Sequence, residues 1–255
     1  MLSIISPAKK LLEQPKIVIN PASELLFQDK STTLVNLLQS MTVADIANLM
    51  SLSENLAKLN FERYQDFNFK GSTQQPSGQA IFLFQGDVYQ SLDAASLTTK
   101  DLNYAQNHLA ILSGLYGLVR PLDLIQPYRL EMGTKLANPA GNDLYAFWQS
   151  TVTDYINRLL ENHKNPLLIN LASNEYSKVV NKKNLKHPMV TVHFKETKNG
   201  QLKSIGIFAK KARGAMARYM TEHQVDNLEG LLNFTELDYR YQASLSSEKE
   251  IVFAR

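Results

Sequence analysis

The chain of 255 residues contains no cysteine. That single absence excludes disulfides, thiolate metal sites, cysteine nucleophiles and thiol-based redox sensing. Histidine is scarce. His108, His163, His187, His193 and His223 are the only five, and no two stand at a metal-binding spacing such as HExxH. No metal and no cofactor is expected. Long apolar runs are missing too, and none approaches the roughly 18 to 20 residues of a bilayer span. The opening MLSIISPAKK places its charge after a very short apolar run, the reverse of a secretory signal. There is no GxSxG nucleophile motif, no Walker loop, no internal repeat and no low-complexity linker. A monomer working in the cytoplasm without a membrane is the expectation.

What is present is enough to fold. The chain is 44% hydrophobic and 20% charged, with a net charge of +3. It can bury a sizeable core, and its charge balance is too even to mark a nucleic-acid binder unless the cations cluster. LSIIS (2–6) reads as a strand stopped by Pro7. Helical periodicity then runs to about residue 66, with Thr42 and Asp45 as an approximate capping box and Ser53 as a further cap. GSTQQPSG (71–78) reads as a loop and IFLF (81–84) as a buried strand. Thr98 caps a helix expected to reach Leu112, and Asn142 leads into a long helix through Leu159. LLINLAS (167–173) reads as a buried strand. MVTVHFKE and LKSIGIF form an expected hairpin around Asn199-Gly200. A helix over 211–223 and a last strand IVFA complete the pattern. Helices and strands intermix without strict alternation. The expectation is α/β in the mixed α+β sense: one compact domain over residues 1–255, a mixed sheet flanked by helices, and a helix-rich N-terminal part.

Three segments carry candidate chemistry. In FAKKARGAMARYM, the helical projection puts Ala212, Ala215, Met216, Tyr219 and Met220 on one side. Lys210, Lys211, Arg213 and Arg218 fall on the other, with Gly214 and Ala217 between them. A small residue among cations permits close approach of a phosphate or of another backbone; an ordinary solvated basic face fits equally well. SPAKK places Lys9 and Lys10 just past a strand end, where α/β proteins bind ligands. NLASNEY puts Asn170, Ser173, Glu175 and Tyr176 at another strand end. For both strand ends an ordinary exit from the sheet is the simpler reading.

The densest segment is GLYGLVRPLDLIQPYRLEM (114–132). Gly114 and Gly117 allow tight turns beside Tyr116, Pro121 suits the first turn of a short helix, and Pro127 would end it. Arg120, Asp123, Tyr128, Arg129 and Glu131 form either a self-paired network or a pocket wall. Arginine is the better residue for gripping carboxylate or phosphate. LSGLYG, read as following a helix, loosely resembles the hairpin of helix-hairpin-helix DNA-binding modules, but with two residues between the glycines in place of one.

Taken together, ISPAK (5–9), GDVY (86–89), the block 112–133, DLYAFW (143–148), NLASNEY (170–176) and AKKARG (209–214) resemble the YaaA family of bacterial peroxide stress proteins. Lys10 stands where that family commonly has Thr, Ser91 where it has Gly, and Phe208 where it has Tyr. The resemblance implies a cytoplasmic protein of the oxidative stress response that limits damage by hydrogen peroxide and is linked to iron homeostasis through low free intracellular iron. It implies an unusual α/β fold with a basic cleft, a helix-hairpin-helix-like element and DNA binding. It supplies no settled activity. Three readings stay open: a DNA-binding protein using the cleft, an enzyme acting on a phosphorylated small molecule or nucleotide there, or a structural protein whose dense motifs are core. Lys9, Arg120, Arg129, Lys210 and Arg213 are expected to face one concave surface.

Overall fold

The computed structural model describes every residue except 15–16, 70–76 and 199. The N-terminal part runs β1 (Leu2–Ile5), β2 (Lys10–Leu11), α1 (Gln28–Gln39), α2 (Val43–Met50), α3 (Glu54–Gln65) and β3 (Gly78–Gln79). Then come α4 (Ala80–Leu83), β4 (Phe84–Gln85), α5 (Asp87–Leu92), α6 (Thr99–His108), β5 (Leu109–Ser113), β6 (Gly117–Val119) and β7 (Leu124–Ile125). The second half contains α7 (Leu144–Glu161), β8 (Leu168–Asn170), α8 (Asn174–Ser177), β9 (Met189–Lys198) and β10 (Gln201–Lys203). It ends with α9 (Gly206–Glu222), α10 (Leu228–Leu232), β11 (Arg240–Tyr241) and β12 (Glu250–Ala254). The protein is a single mixed α+β domain.

An eight-stranded sheet runs β11-β12-β9-β8-β1-β5-β6, with β10 paired to the end of β9. β12, β9, β8, β1 and β5 are mutually parallel, and β11 and β6 close the edges antiparallel. Parallel strands are covered on both faces, which is why β1, β5 and β8 are buried along their whole length. From β1 the chain moves to β5 on one side, then returns to β8 on the other. Right-handed crossovers therefore put α6 and α7 on opposite faces. Trp148, fully buried on α7, donates its indole N–H to Gly114 O at 2.9 Å and locks the β5–β6 hairpin onto that helix.

Both capping boxes form. Thr42 and Thr98 accept from the amides of Asp45 and Asp101, whose carboxylates reach back to the cap residues. Ser53 stands at the N-cap of α3 without a side-chain bond, and the cap of α7 is Asp143 in place of Asn142.

Four expectations fail. Leu109–Leu112 continue the helical spacing of Leu102 and Ala105, yet they form β5, because a fully buried apolar run satisfies either period. IFLF is one helical turn followed by the short β4. The hairpin strand stops at Lys203, and Gly206–Phe208 already belong to α9. Pro121 opens a turn, not a helix. The loop at 71–76 and the turn residue Asn199 lie outside the described residues.

Candidate functional site

The chain order reverses between β1 and β8. In open parallel sheets a crevice forms at such a point, beyond the carboxyl ends of the strands. Ser6 leaves β1 there and Ser173 leaves β8. The Ser173 amide donates to Ser6 Oγ at 2.9 Å, and Tyr89 OH donates to Ser6 O at 3.0 Å. A cleft of about 430 Å³ opens over this pair. Lys9 and Lys10 follow β1 into it, Lys210 and Arg213 reach it from α9, and Asp87 borders it from the start of α5.

Four cations and three acids line the cleft, the acids being Asp87, Glu131 and Glu175. A neighbouring recess of about 410 Å³ shares Lys9, Glu131 and Glu175 with it and adds Arg129. Glu131 joins the two spaces: its carboxylate meets Lys9 Nζ at 2.9 Å and Arg129 Nη2 at 3.1 Å. Glu175 accepts from the Gly133 amide at 3.0 Å. Among the described residues, Lys10, Lys210 and Arg213 make no ion pair. Arg213 is half-buried, and its Nε is buried with no hydrogen-bond partner. Burial pulls its pKa down from the usual guanidinium value. Burial also pushes the Tyr176 phenol at the cleft wall upward, with Tyr128 and the nearby Glu175 adding to it. These phenols stay neutral and act as hydrogen-bond groups.

Lys9, Lys210 and Arg213 line one cleft, whereas Arg129 lines the neighbouring recess that shares Lys9 with it. Arg120 lines neither. Its guanidinium pairs with buried Asp123 at 2.9 Å and donates to Glu24 O at 3.1 Å, while Asp123 also accepts from Ser23 Oγ at 2.6 Å. This network ties the N-terminal segment to the 114–132 block. The block does pair both its arginines with its own acids, but only Glu131 lines the cleft, with Arg129 in the neighbouring recess.

Other candidates serve packing. Gly114 abuts the Leu130 carbonyl; a Cβ there would lie 2.3 Å from it. Gly117, at φ +71°, lies against the Trp148 ring. The two glycines close a strand–strand hairpin, so the element preceding LSGLYG is β5 and not a helix. Tyr116 OH and Tyr128 OH are buried and bond Gln126 O and Ser113 Oγ. Asn170 is buried too, accepting from the Ala172 amide and donating to Thr191.

The basic face of α9 divides. Lys210 and Lys211 are exposed, and Lys211 is not among the cleft residues. Gly214 and Ala217 are buried. A Cβ on Gly214 would stand 2.0 Å from Val88 O, so the backbone that approaches is that of α5. Arg218 donates to Leu92 O, Asp93 O and Ser96 Oγ and pairs with Glu222, closing the C-terminal end of α5. Sequence reading alone does not single out Ser6, Asp87 or Tyr89. The strand-end argument that selects Lys9 would have found Ser6. Asp87 and Tyr89 lie in GDVY, one of the segments that carry the family resemblance, but have no chemical signal of their own, because they enter the cleft through packing of α5 on α9.

The fold and this crevice define an α+β protein with a polar, mixed-charge cleft at the switch point of a largely parallel sheet. The chain belongs to the family described as peroxide stress protein YaaA, which matches residues 1–245. Its relatives include a UPF0246 protein of Legionella pneumophila strain Lens, 51% identical over 255 residues that span 100% of this chain and 99% of that protein. UPF0246 proteins of Bordetella petrii and Alteromonas mediterranea are 49% and 48% identical over 255 residues, covering 99% and 98% of their own lengths.

Proposed function

We propose that the protein serves the peroxide stress response by holding a phosphate-bearing ligand in the β1–β8 crevice. Arg213 carries this reading. A half-buried guanidinium whose Nε is buried without a partner among the described residues is costly, and an anion in the cleft would offset that cost. Lys10 and Lys210 add two unpaired ammonium groups around the same space. The three acids argue against a uniformly basic groove and suit a ligand that presents hydroxyls beside its phosphate. Turnover of that ligand, with Glu131 or Glu175 moving a proton, is the enzymatic version of the same reading.

DNA is the second reading, supported by exposed Lys210 at the cleft and by exposed Lys211, its neighbour on α9. The link to iron belongs to the proposal as well. Among the described residues no three His, Asp or Glu side chains are grouped to hold a metal ion. The influence on free iron would therefore run through the bound ligand.

Calorimetric titration with ribose 5-phosphate, set beside anisotropy of labelled duplex and single-stranded DNA at several salt concentrations, tests the reading. Arg213→Ala should weaken the phosphate ligand about 10- to 100-fold, the value of a charge-assisted hydrogen bond. Complementing a peroxide-sensitive bacterium that lacks its own family member should fail with the same variant. Retained affinity in Arg213→Ala removes the cleft from the function. Binding of DNA alone, weakening steeply with salt, selects the second reading.

A further inference from the structure

A second hollow, of about 260 Å³, adjoins the cleft and shares Gln85 and Tyr89 with it. Its lining carries less charge: Leu12 and Ile17 are half-buried over the buried Ile81, Phe82 and Phe84, with Gln90 and Asp93 at the rim. One ribbon joins the two spaces. β2 and β4 pair with Lys10 opposite Gln85, and the ladder continues through Leu12 N to Leu83 O at 2.9 Å. Side chains alternate along a strand, so Lys10 and Leu12 share a face, and Gln85 joins them as the cross-strand partner of Lys10. That face floors the polar cleft at Lys10 and the apolar hollow at Leu12. Two residues of strand separate them, about 6.6 Å, roughly the span of one ribose.

An anion grip one sugar away from an apolar slot is the pattern of a nucleotide site. We infer that the ligand of the crevice is a nucleoside monophosphate unit. Its phosphate meets Arg213, Lys210 and Lys10, its ribose hydroxyls face the cleft acids, and its base enters the Leu12–Phe84 hollow. Gln85 Nε2 is spent on Phe82 O and Phe84 O, leaving Oε1 to accept from a ring N–H. The Gln90 amide makes no side-chain hydrogen bond among the described residues and stands exposed beside the slot. The inference rests on the phosphate reading and adds the base to it.

Calorimetry separates the two. AMP, GMP, CMP and UMP are titrated beside ribose 5-phosphate and inorganic phosphate, with a 5′-phosphorylated oligonucleotide as the arm for a strand end. At least one mononucleotide should bind about tenfold or more tighter than ribose 5-phosphate, the worth of the apolar surface that a base buries. Leu12→Trp, which fills the slot, should erase that advantage and leave ribose 5-phosphate unchanged. Ile17→Glu gives the same readout should Leu12→Trp not fold. Arg213→Ala should weaken every phosphate ligand alike. Ribose 5-phosphate binding as tightly as every nucleotide overturns the base slot and spares the phosphate reading. An oligonucleotide that binds while no free nucleotide does assigns the unit to a strand end. No binding of any phosphate compound overturns both readings.

Discussion

At the scale of single residues, Glu131 sets the charge of the cleft. Its two oxygens each hold a cation, Lys9 at 2.9 Å and Arg129 at 3.1 Å, with Lys9 largely exposed. Exposed pairs of this kind contribute about 0 to 1 kcal/mol to stability. Their greater effect is on what enters: a carboxylate between two cations repels an incoming phosphate and cancels part of their attraction. Removing its charge frees both cations. At about 8 Å in water-like surroundings one unit charge is worth roughly 0.5 kcal/mol, and several times that at lower effective dielectric. Glu131→Gln should therefore tighten binding of a phosphate ligand about two- to tenfold with little change in melting temperature. The same variant should lose turnover if the carboxylate moves a proton, so affinity and activity measured together separate a screening role from a chemical one. Weaker phosphate binding in Glu131→Gln would show that the carboxylate holds the ligand itself.

At the scale of elements, the α5–α9 contact takes the close approach that the sequence pattern leaves open to a phosphate or to another backbone. Gly214 lets the α5 backbone approach, and Arg218 satisfies the carbonyls that end α5. Gly214→Ala adds a Cβ against backbone that cannot rotate away, so it should cost about 1 to 3 kcal/mol. At roughly 2 to 4 °C per kcal/mol for a domain near this size, a drop of several degrees in melting temperature follows. Arg218→Ala should also destabilise, removing the donor to the carbonyls that end α5, while leaving phosphate affinity unchanged. A thermal melt of each variant, with calorimetry of Arg218→Ala, checks both. The helical period does find α9, but it cannot tell a helix face that meets solvent from one that meets another helix through small residues. The same limit explains β5, where four buried apolar residues continue a helical spacing by chance. Caps, by contrast, are local chemistry, so the Thr42–Asp45 and Thr98–Asp101 boxes are legible from four residues each. The strand-end lysines are legible because β1 is short, apolar and bounded by proline. Asp87 and the separation of Arg120 from the cleft are not legible, because both depend on which distant segment packs beside them. Asp123 holds the Arg120 guanidinium from three residues away, and Ser23 and Glu24 of the N-terminal segment complete that network away from the cleft.

At the scale of the whole molecule, the sheet joins segments from both ends of the chain, so loss of any part of the core is a loss of the site. Three half-buried histidines make this cooperative structure sensitive to acid. His108 ends α6, His163 follows α7 and His193 lies on β9. Burial lowers the pKa of all three, that of His163 to about 4. A histidine whose folded pKa lies below its unfolded value of about 6.5 binds more protons when unfolded. Stability then rises with pH across that window. Their contribution is complete above about pH 6.5 and is lost as the pH falls toward the folded values. Asp45 and Asp101 have lowered pKa values through bonds to their capping threonines. As carboxylates they add stability that is lost only at still lower pH, through and below the ordinary aspartate range. Urea midpoints should therefore fall between pH 7.5 and 5, before those aspartates titrate, because protons taken up by these histidines and by the Met1 amine beside His163, its pKa also lowered by burial, drive the change. His163→Gln, a neutral residue in a half-buried place, should flatten this part of the profile while lowering the midpoint at pH 7.5 only modestly. A variant whose acid profile between pH 7.5 and 5 runs parallel to that of the parent would remove His163 from the effect and leave His108, His193 and the Met1 amine to account for it.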